Sequence, residues 1–128
     1  MKITEPVKVS GLVTRFKGNG RRLGYPTANL TTETNIDDGV YFGYADLATW
    51  HKQPAIIFVG VPTTVGDTVR RVEVHLLDIP DQDYYDQMLN VDIRYFHRTN
   101  QTFDSIERLL EVMKDDEVAA RAWFAESN

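Results

Sequence analysis

Twelve consecutive residues, Gly18-Asn19-Gly20-Arg21-Arg22-Leu23-Gly24-Tyr25-Pro26-Thr27-Ala28-Asn29, gather the groups that hold a nucleotide phosphate. Glycines let backbone amides approach a ligand closely. Arginines offer forked donors that suit phosphate oxygens. The hydroxyl of Thr27 and the amide carbonyl of Asn29, two positions apart, are hard oxygens of the kind magnesium takes. The stretch reads as a nucleotide-phosphate loop. It is not a P-loop, which needs a lysine after its last glycine and opens into a helix; here Tyr25-Pro26 follow Gly24. Nor is it the dinucleotide fingerprint, because its third glycine falls one position late. Pro26 restricts Tyr25 to extended backbone, and residues 27–30 read as strand, so the loop joins strand to strand. For the glycines alone, a glycine-rich hairpin with solvated arginines is the plainer reading. The attached Pro-Thr-Ala-Asn is what points to a site.

The pattern Gly-x-Gly-x-x-Leu-Gly-x-Pro-Thr-Ala-Asn resembles the signature of riboflavin kinases, including the C-terminal kinase module of bacterial bifunctional FAD synthases. The likeness continues along the chain in family order. Val9-Ser10-Gly11-Leu12-Val13 is similar to the first strand, and Asp38-Gly39-Val40-Tyr41 to the Gly-Val-Tyr motif. Gly60-Val61-Pro62-Thr63 resembles the Gly-x-x-Pro-Thr turn, one residue shorter, and Val72-Glu73-Val74-His75 the Val-Glu-x-His segment. Phe96-His97-Arg98 with Phe103 resembles Phe-x-Arg-x-x-x-x-Phe, and Asp116 with Ala120-Arg121 resembles the end of the closing helix.

The resemblance implies an ATP-dependent kinase that converts riboflavin to FMN, with Mg²⁺ as cofactor and ADP as second product. It implies that Gly18, Gly20, Arg21, Gly24, Pro26, Thr27 and Asn29 bind ATP, and that Thr27 and Asn29 hold the metal. In a strand those two side chains share a face; the alternative is that they satisfy backbone groups of a turn. It implies that Glu73 is the catalytic carboxylate, accepting the ribityl hydroxyl proton. A lone glutamate in mid-strand otherwise reads as solvent-facing. His75 shares its face and reads as a structural histidine, while His51 and His97 read as solvated. The segment from Phe96 to Phe103 is similar to the family's flavin flap. Arg98, Asn100 and Phe103 are thereby implied in flavin binding, although Phe103 reads equally as a core aromatic or a staple at the helix start.

This chain departs from the family pattern at several points. Asn100 and Thr102 stand where an acidic residue and a lysine are frequent, Phe58 where an asparagine is common, and Phe16 where glycine is frequent. These changes bear on the flavin more than on phosphate transfer. The nucleotidyltransferase half of the bifunctional enzymes is not visible, so making FAD from FMN is not expected. The competing reading is a flavin- or nucleotide-binding regulatory module that has lost turnover.

The elements that must position these residues follow from length and pattern. The 128 residues suit one domain, 1–128, and 42% of them are hydrophobic, enough for a core. A net charge of −5 argues against a nucleic-acid partner. No run has the apolar length of a membrane span. The opening Met-Lys-Ile-Thr-Glu-Pro lacks a signal peptide's apolar stretch, and there is no cysteine; a cytoplasmic monomer is expected. Val7, Val9, Gly11 and Val13 alternate with polar residues, as in a half-buried strand. Residues 40–48 form a second strand, with Trp50 to Gln53 as hairpin connection to a third over 54–61. Residues 65–68 form a turn. Val72, Val74 and Leu76 point one way, Glu73, His75 and Leu77 the other, and Leu89, Val91, Ile93 and Tyr95 form a last alternating set. Strands separated by turns suggest a closed antiparallel barrel, six-stranded and Greek-key. Asp104 with Glu107 has capping-box spacing. A helix should follow, laying Ile106, Leu109, Leu110, Met113, Val118, Ala122 and Trp123 on the barrel.

Overall fold

A computed structural model describes residues 1–14, 27–30, 34–61, 63–66, 68–80 and 84–127. Six strands form the molecule: β1 (Lys2–Thr14), β2 (Ala28–Leu30), β3 (Gly39–Leu47), β4 (Trp50–Gly60), β5 (Arg71–Leu76) and β6 (Met88–Arg98). Among the described residues the α-helix is α1 (Ile106–Ser127), and Thr63–Val65 form a 3-10 turn. The strands pair antiparallel in the order β1-β2-β5-β4-β3-β6, and β6 returns to β1, so the barrel is closed. Successive neighbours β3, β4 and β5 with long connections on either side make this the expected Greek key. Closure leaves no unpaired sheet edge.

The period of two sorts the side chains. Val9, Ile57, Val59, Val72, Val74 and Leu89 fill the barrel interior. A second cluster lies outside, where Phe42, Leu77, Ala120 and Phe124 are buried between barrel and helix, with Tyr44, Ile56, Tyr95 and Trp123 against them. Phe42 is nearly sealed from solvent, at 1% exposure. Burying a ring this fully contributes on the order of 1.5–3 kcal/mol.

Several local expectations are corrected. The β3–β4 connection is the two-residue turn Ala48-Thr49, since Leu47 already pairs with Trp50. His51 and Lys52 instead form a bulge opposite Asp46. Lys52 has φ of 49°, and its amide donates to Asp46 Oδ1 at 2.6 Å. Tyr95 does not share the face of Leu89, Val91 and Ile93. The register shifts between Phe42 and Gly43, leaving Arg94 unmatched. Beyond that bulge Tyr95 faces the helix, stacked on Phe42 with centroids 5.6 Å apart, and Phe96 turns inward. Gly43 is required there, because a Cβ would lie 2.1 Å from the Asp92 carbonyl oxygen.

The helix also differs in detail. Its N-cap is Ser105, whose Oγ accepts from the Arg108 amide at 3.1 Å. Asp104 is one residue too early, so Glu107 does not occupy the capping-box position. The buried stripe runs through Asp116, Ala120 and Phe124. Ile106 and Val118 are exposed, as is Ala122. Alternatives spaced three or four apart exist on both sides of this helix, and the barrel's aromatic patch selects the one carrying Phe124.

Candidate active site

The short strand β2 is wedged between β1 and β5. Its register sets Ala28 opposite Val74, Asn29 opposite Glu73 and Leu30 opposite Val72. Because Val72, Val74 and Leu30 point into the barrel, Asn29 and Glu73 point outward beside each other. Neighbouring strands lie ~4.8 Å apart, which brings an amide and a carboxylate together on the outer surface. The row continues without a break. Thr14 on β1 faces Asn29, Phe58 on β4 faces Glu73, Val40 on β3 faces Phe58, and Arg98 on β6 faces Val40.

Asn29 is 7% exposed, and its Oδ1 takes no hydrogen bond among the described residues. An orphaned buried carbonyl oxygen costs stability unless something else occupies it. The atom is a hard acceptor and suits a divalent cation that keeps few protein ligands. Thr27, half-buried, immediately precedes β2 and falls on the same side by alternation. The residues therefore fit magnesium. Among the described residues no three His, Cys, Asp or Glu group as metal ligands. Glu73 is half-buried and mid-strand, held from both sides by the β2 and β4 ladders. His75 lies on the same outward face and pairs with Ile56.

At the far end of the row Arg98 is tightly engaged. Its Nε donates to Asp116 Oδ1 at 2.8 Å and its Nη2 to Asp116 Oδ2 at 2.8 Å. His97 Nε2 lies 3.0 Å from the same Oδ1, with the ring stacked on Phe42 at 4.7 Å. The expectation of a solvated His97 is therefore corrected: the bulge at His97 turns it under the helix. His51 remains exposed on its own bulge. Asp116 is 5% exposed and is the partner that sequence reasoning missed as a functional support. Its signal was a carboxylate within the helix's apolar stripe.

The segment from Thr99 to Phe103 runs back across the end of β4. Asn100 Nδ2 donates to the Val59 carbonyl at 2.8 Å, Thr102 Oγ1 meets Thr63 Oγ1, and the Phe103 amide donates to Thr64 Oγ1 at 2.9 Å. Gly60 makes this approach possible: its φ is 149°, and a Cβ would lie 2.3 Å from Asn100 Nδ2. The other side-chain oxygen, Asn100 Oδ1, is buried without a partner among the described residues. Gly18, Gly20, Arg21, Gly24 and Pro26 lie outside the described residues, as does Phe16. The structure thus brings Asn29, Glu73 and Arg98 onto one row, with Thr27 and Asn100 at its margins.

Comparison with known proteins finds relatives over most of the chain. Residues 3–124 match the family model described as riboflavin kinase, Flavokinase. Human riboflavin kinase is 29% identical over 118 residues, covering 87% of this chain and 76% of the human one. The bifunctional riboflavin kinase/FMN adenylyltransferase of Pseudomonas fluorescens is 36% identical over 127 residues, covering 95% of this chain and 40% of that protein. The riboflavin kinase structure from Trypanosoma brucei superimposes with a TM-score of 0.73 at 18% identity, covering 98% of this chain and 82% of that one. At that identity the structural likeness supports the barrel and helix alone. With the family model spanning nearly its whole length, this chain belongs to the riboflavin kinase family.

Proposed function

We propose that this chain transfers the terminal phosphoryl group of ATP to the 5′-hydroxyl of riboflavin, giving FMN and ADP. The observation that carries the reading is the Asn29–Glu73 pairing across β2 and β5, within a chain of this family. Phosphoryl transfer needs charge shielding, in-line placement of the two oxygens and a destination for the hydroxyl proton. Glu73 accepts that proton as the oxygen–phosphorus bond forms and the bond to the ADP oxygen breaks. Before transfer the same carboxylate orients the hydroxyl. Thr27 and Asn29 present their side-chain oxygens to Mg²⁺, which when bound offsets phosphate charge. Backbone amides of Gly18, Gly20 and Gly24, with Arg21 and Pro26, form the remaining ATP contacts. On the acceptor side, Asn100 Oδ1 is an acceptor for a flavin N–H, Phe103 offers an apolar wall, and Arg98, at the far end of the row, is a cation for the flavin or the new phosphate.

Nothing in the site favours the non-catalytic alternative: the metal-type oxygens and the carboxylate stand side by side. The closed barrel removes pairing of copies through strand edges, and a cytoplasmic monomer is the accompanying proposal. The test is to incubate pure protein with riboflavin, ATP and Mg²⁺ and separate the flavins. FMN and ADP should appear in equal amounts. Absence of FMN from folded protein that binds both substrates overturns the reading.

A further inference from the structure

We infer that Phe58 is the surface along which the acceptor's side chain lies, and that it makes this enzyme tolerant of acceptors lacking the inner ribityl hydroxyls. The inference rests on the phosphotransfer reading above and adds the specificity of the same site.

The register gives the row a direction. Asn29 on β2 marks the side of the nucleotide and its metal, and Glu73 on β5 marks the attacking oxygen. In-line displacement puts the attacking oxygen on the side of phosphorus away from the leaving ADP. The rest of the acceptor therefore extends away from β2, across β4. The residue directly opposite Glu73 on β4 is Phe58. One strand spacing, ~4.8 Å, separates their backbones, so the ring reaches the carbons next to the reacting hydroxyl. Phe58 is half-buried and outward-facing, whereas its strand neighbours Ile57 and Val59 are sealed in the interior. Beyond it the row reaches Val40, 4% exposed, and then Arg98. Between the carboxylate and the guanidinium the surface a ligand can reach is thus the apolar ring of Phe58, with Val40 sealed behind it.

A phenyl ring neither donates nor accepts a conventional hydrogen bond, so it cannot pair with a ribityl hydroxyl. A site that hydrogen-bonds a hydroxyl rejects the analogue lacking it by about 10⁴–10⁵-fold, because its own polar groups are left unpaired. An apolar wall has no such groups to orphan and discriminates by only about 10–200-fold. Phe58 occupies the position where the family resemblance leads one to expect asparagine. This chain has the weakly discriminating version.

The test compares riboflavin with 7,8-dimethyl-10-(5-hydroxypentyl)isoalloxazine, which keeps the ring and the terminal alcohol and lacks the inner hydroxyls. The kcat/KM ratio of riboflavin to analogue is expected below about 200 for the parent. Phe58→Asn should raise that ratio by about tenfold or more, while Phe58→Leu should leave it near the parent value. Phe58→Ser is the second polar variant should the asparagine fail to fold. A parent ratio near 10⁴ overturns the inference, as does an unchanged ratio in an active polar variant. Failure of the parent to phosphorylate riboflavin at all overturns the phosphotransfer reading instead, so the two failures are distinct.

Discussion

Glu73 and Thr27 are the residues whose replacement separates chemistry from binding. The ribityl hydroxyl is a weak acid, and general-base catalysis by a positioned side chain contributes on the order of 10²–10⁴-fold. Glu73→Gln keeps the shape and removes the proton acceptor. Turnover should fall by about that range, toward its lower end because a loose phosphoryl-transfer transition state lets the proton move late. Riboflavin and ATP affinities should change much less. Near-parent turnover in steady-state assays would make Glu73 a structural strand residue. Thr27→Ala removes one hard oxygen beside Asn29. Titration should show Mg-ATP binding weakened by about tenfold or more, ~1.4 kcal/mol, with flavin binding largely kept. Equal loss of both ligands in folded protein would contradict the metal assignment. At this scale the sequence showed which residues to look for where a motif names them, as in Thr27-Ala28-Asn29, whose Asn29 the structure sets opposite Glu73. It was silent on Asp116 as the acceptor for Arg98 and misread His97 as solvated, because both contacts to Asp116 span 18 or 19 residues and exist only when the helix docks.

Among the elements, β5 was legible from alternation, β2 from the extended backbone that Pro26 imposes and β4 as the far arm of a hairpin; inward-facing Val72 and Val74 fix the face of Glu73, while its pairing with Asn29 is a register that only the structure shows. The face of β6 was legible through Leu89, Val91 and Ile93 and not beyond. Two bulges, at Arg94 and at His97, break the period of two and turn Tyr95, Phe96 and Arg98 away from simple alternation. Periodicity cannot register an extra unpaired residue. The helix boundary was misplaced by one residue because Asp104 and Ser105 are both good caps, and only the docked geometry selects Ser105. Docking depends on Asp116, which binds Arg98 through both oxygens from a buried position on α1. Removing one member of a buried ion pair costs about 3–5 kcal/mol. Arg98 retains some exposure, with 22% of its side chain accessible, so Asp116→Ala should cost about 3 kcal/mol in urea unfolding. A loss of about 0.5 kcal/mol or less, the range of ordinary surface substitutions, would mean that the aromatic contacts of Trp123 and Phe124 hold the helix alone.

For the whole molecule, we propose from the closed barrel and the helix packed across its outer face that the chain unfolds as one cooperative unit. Calorimetry should show a single transition. Mg-ADP at one hundred times its Kd stabilises the folded state by ~2.7 kcal/mol, which for a domain of this size raises Tm by roughly 10 °C. A midpoint that does not move with Mg-ADP would remove the nucleotide site from the molecule. The unbroken hydrogen-bond ladder through β1, β2, β5, β4, β3 and β6 also divides the chain by its tolerance to changes in length. One residue added within Arg71–Leu76 exchanges the faces of that strand, sending the Glu73 carboxylate into the apolar interior and a valine out to meet the substrate, and one added within Ala28–Leu30 turns Asn29 inward in the same way. Substitution can retune this surface, but insertion there erases it. The Ala48-Thr49 turn is exposed and lies at the end of β3 and β4 away from Val40 and Phe58. A tag, a fused domain or a new pair of termini belongs at that turn, where the reading frame of the ladder is left intact.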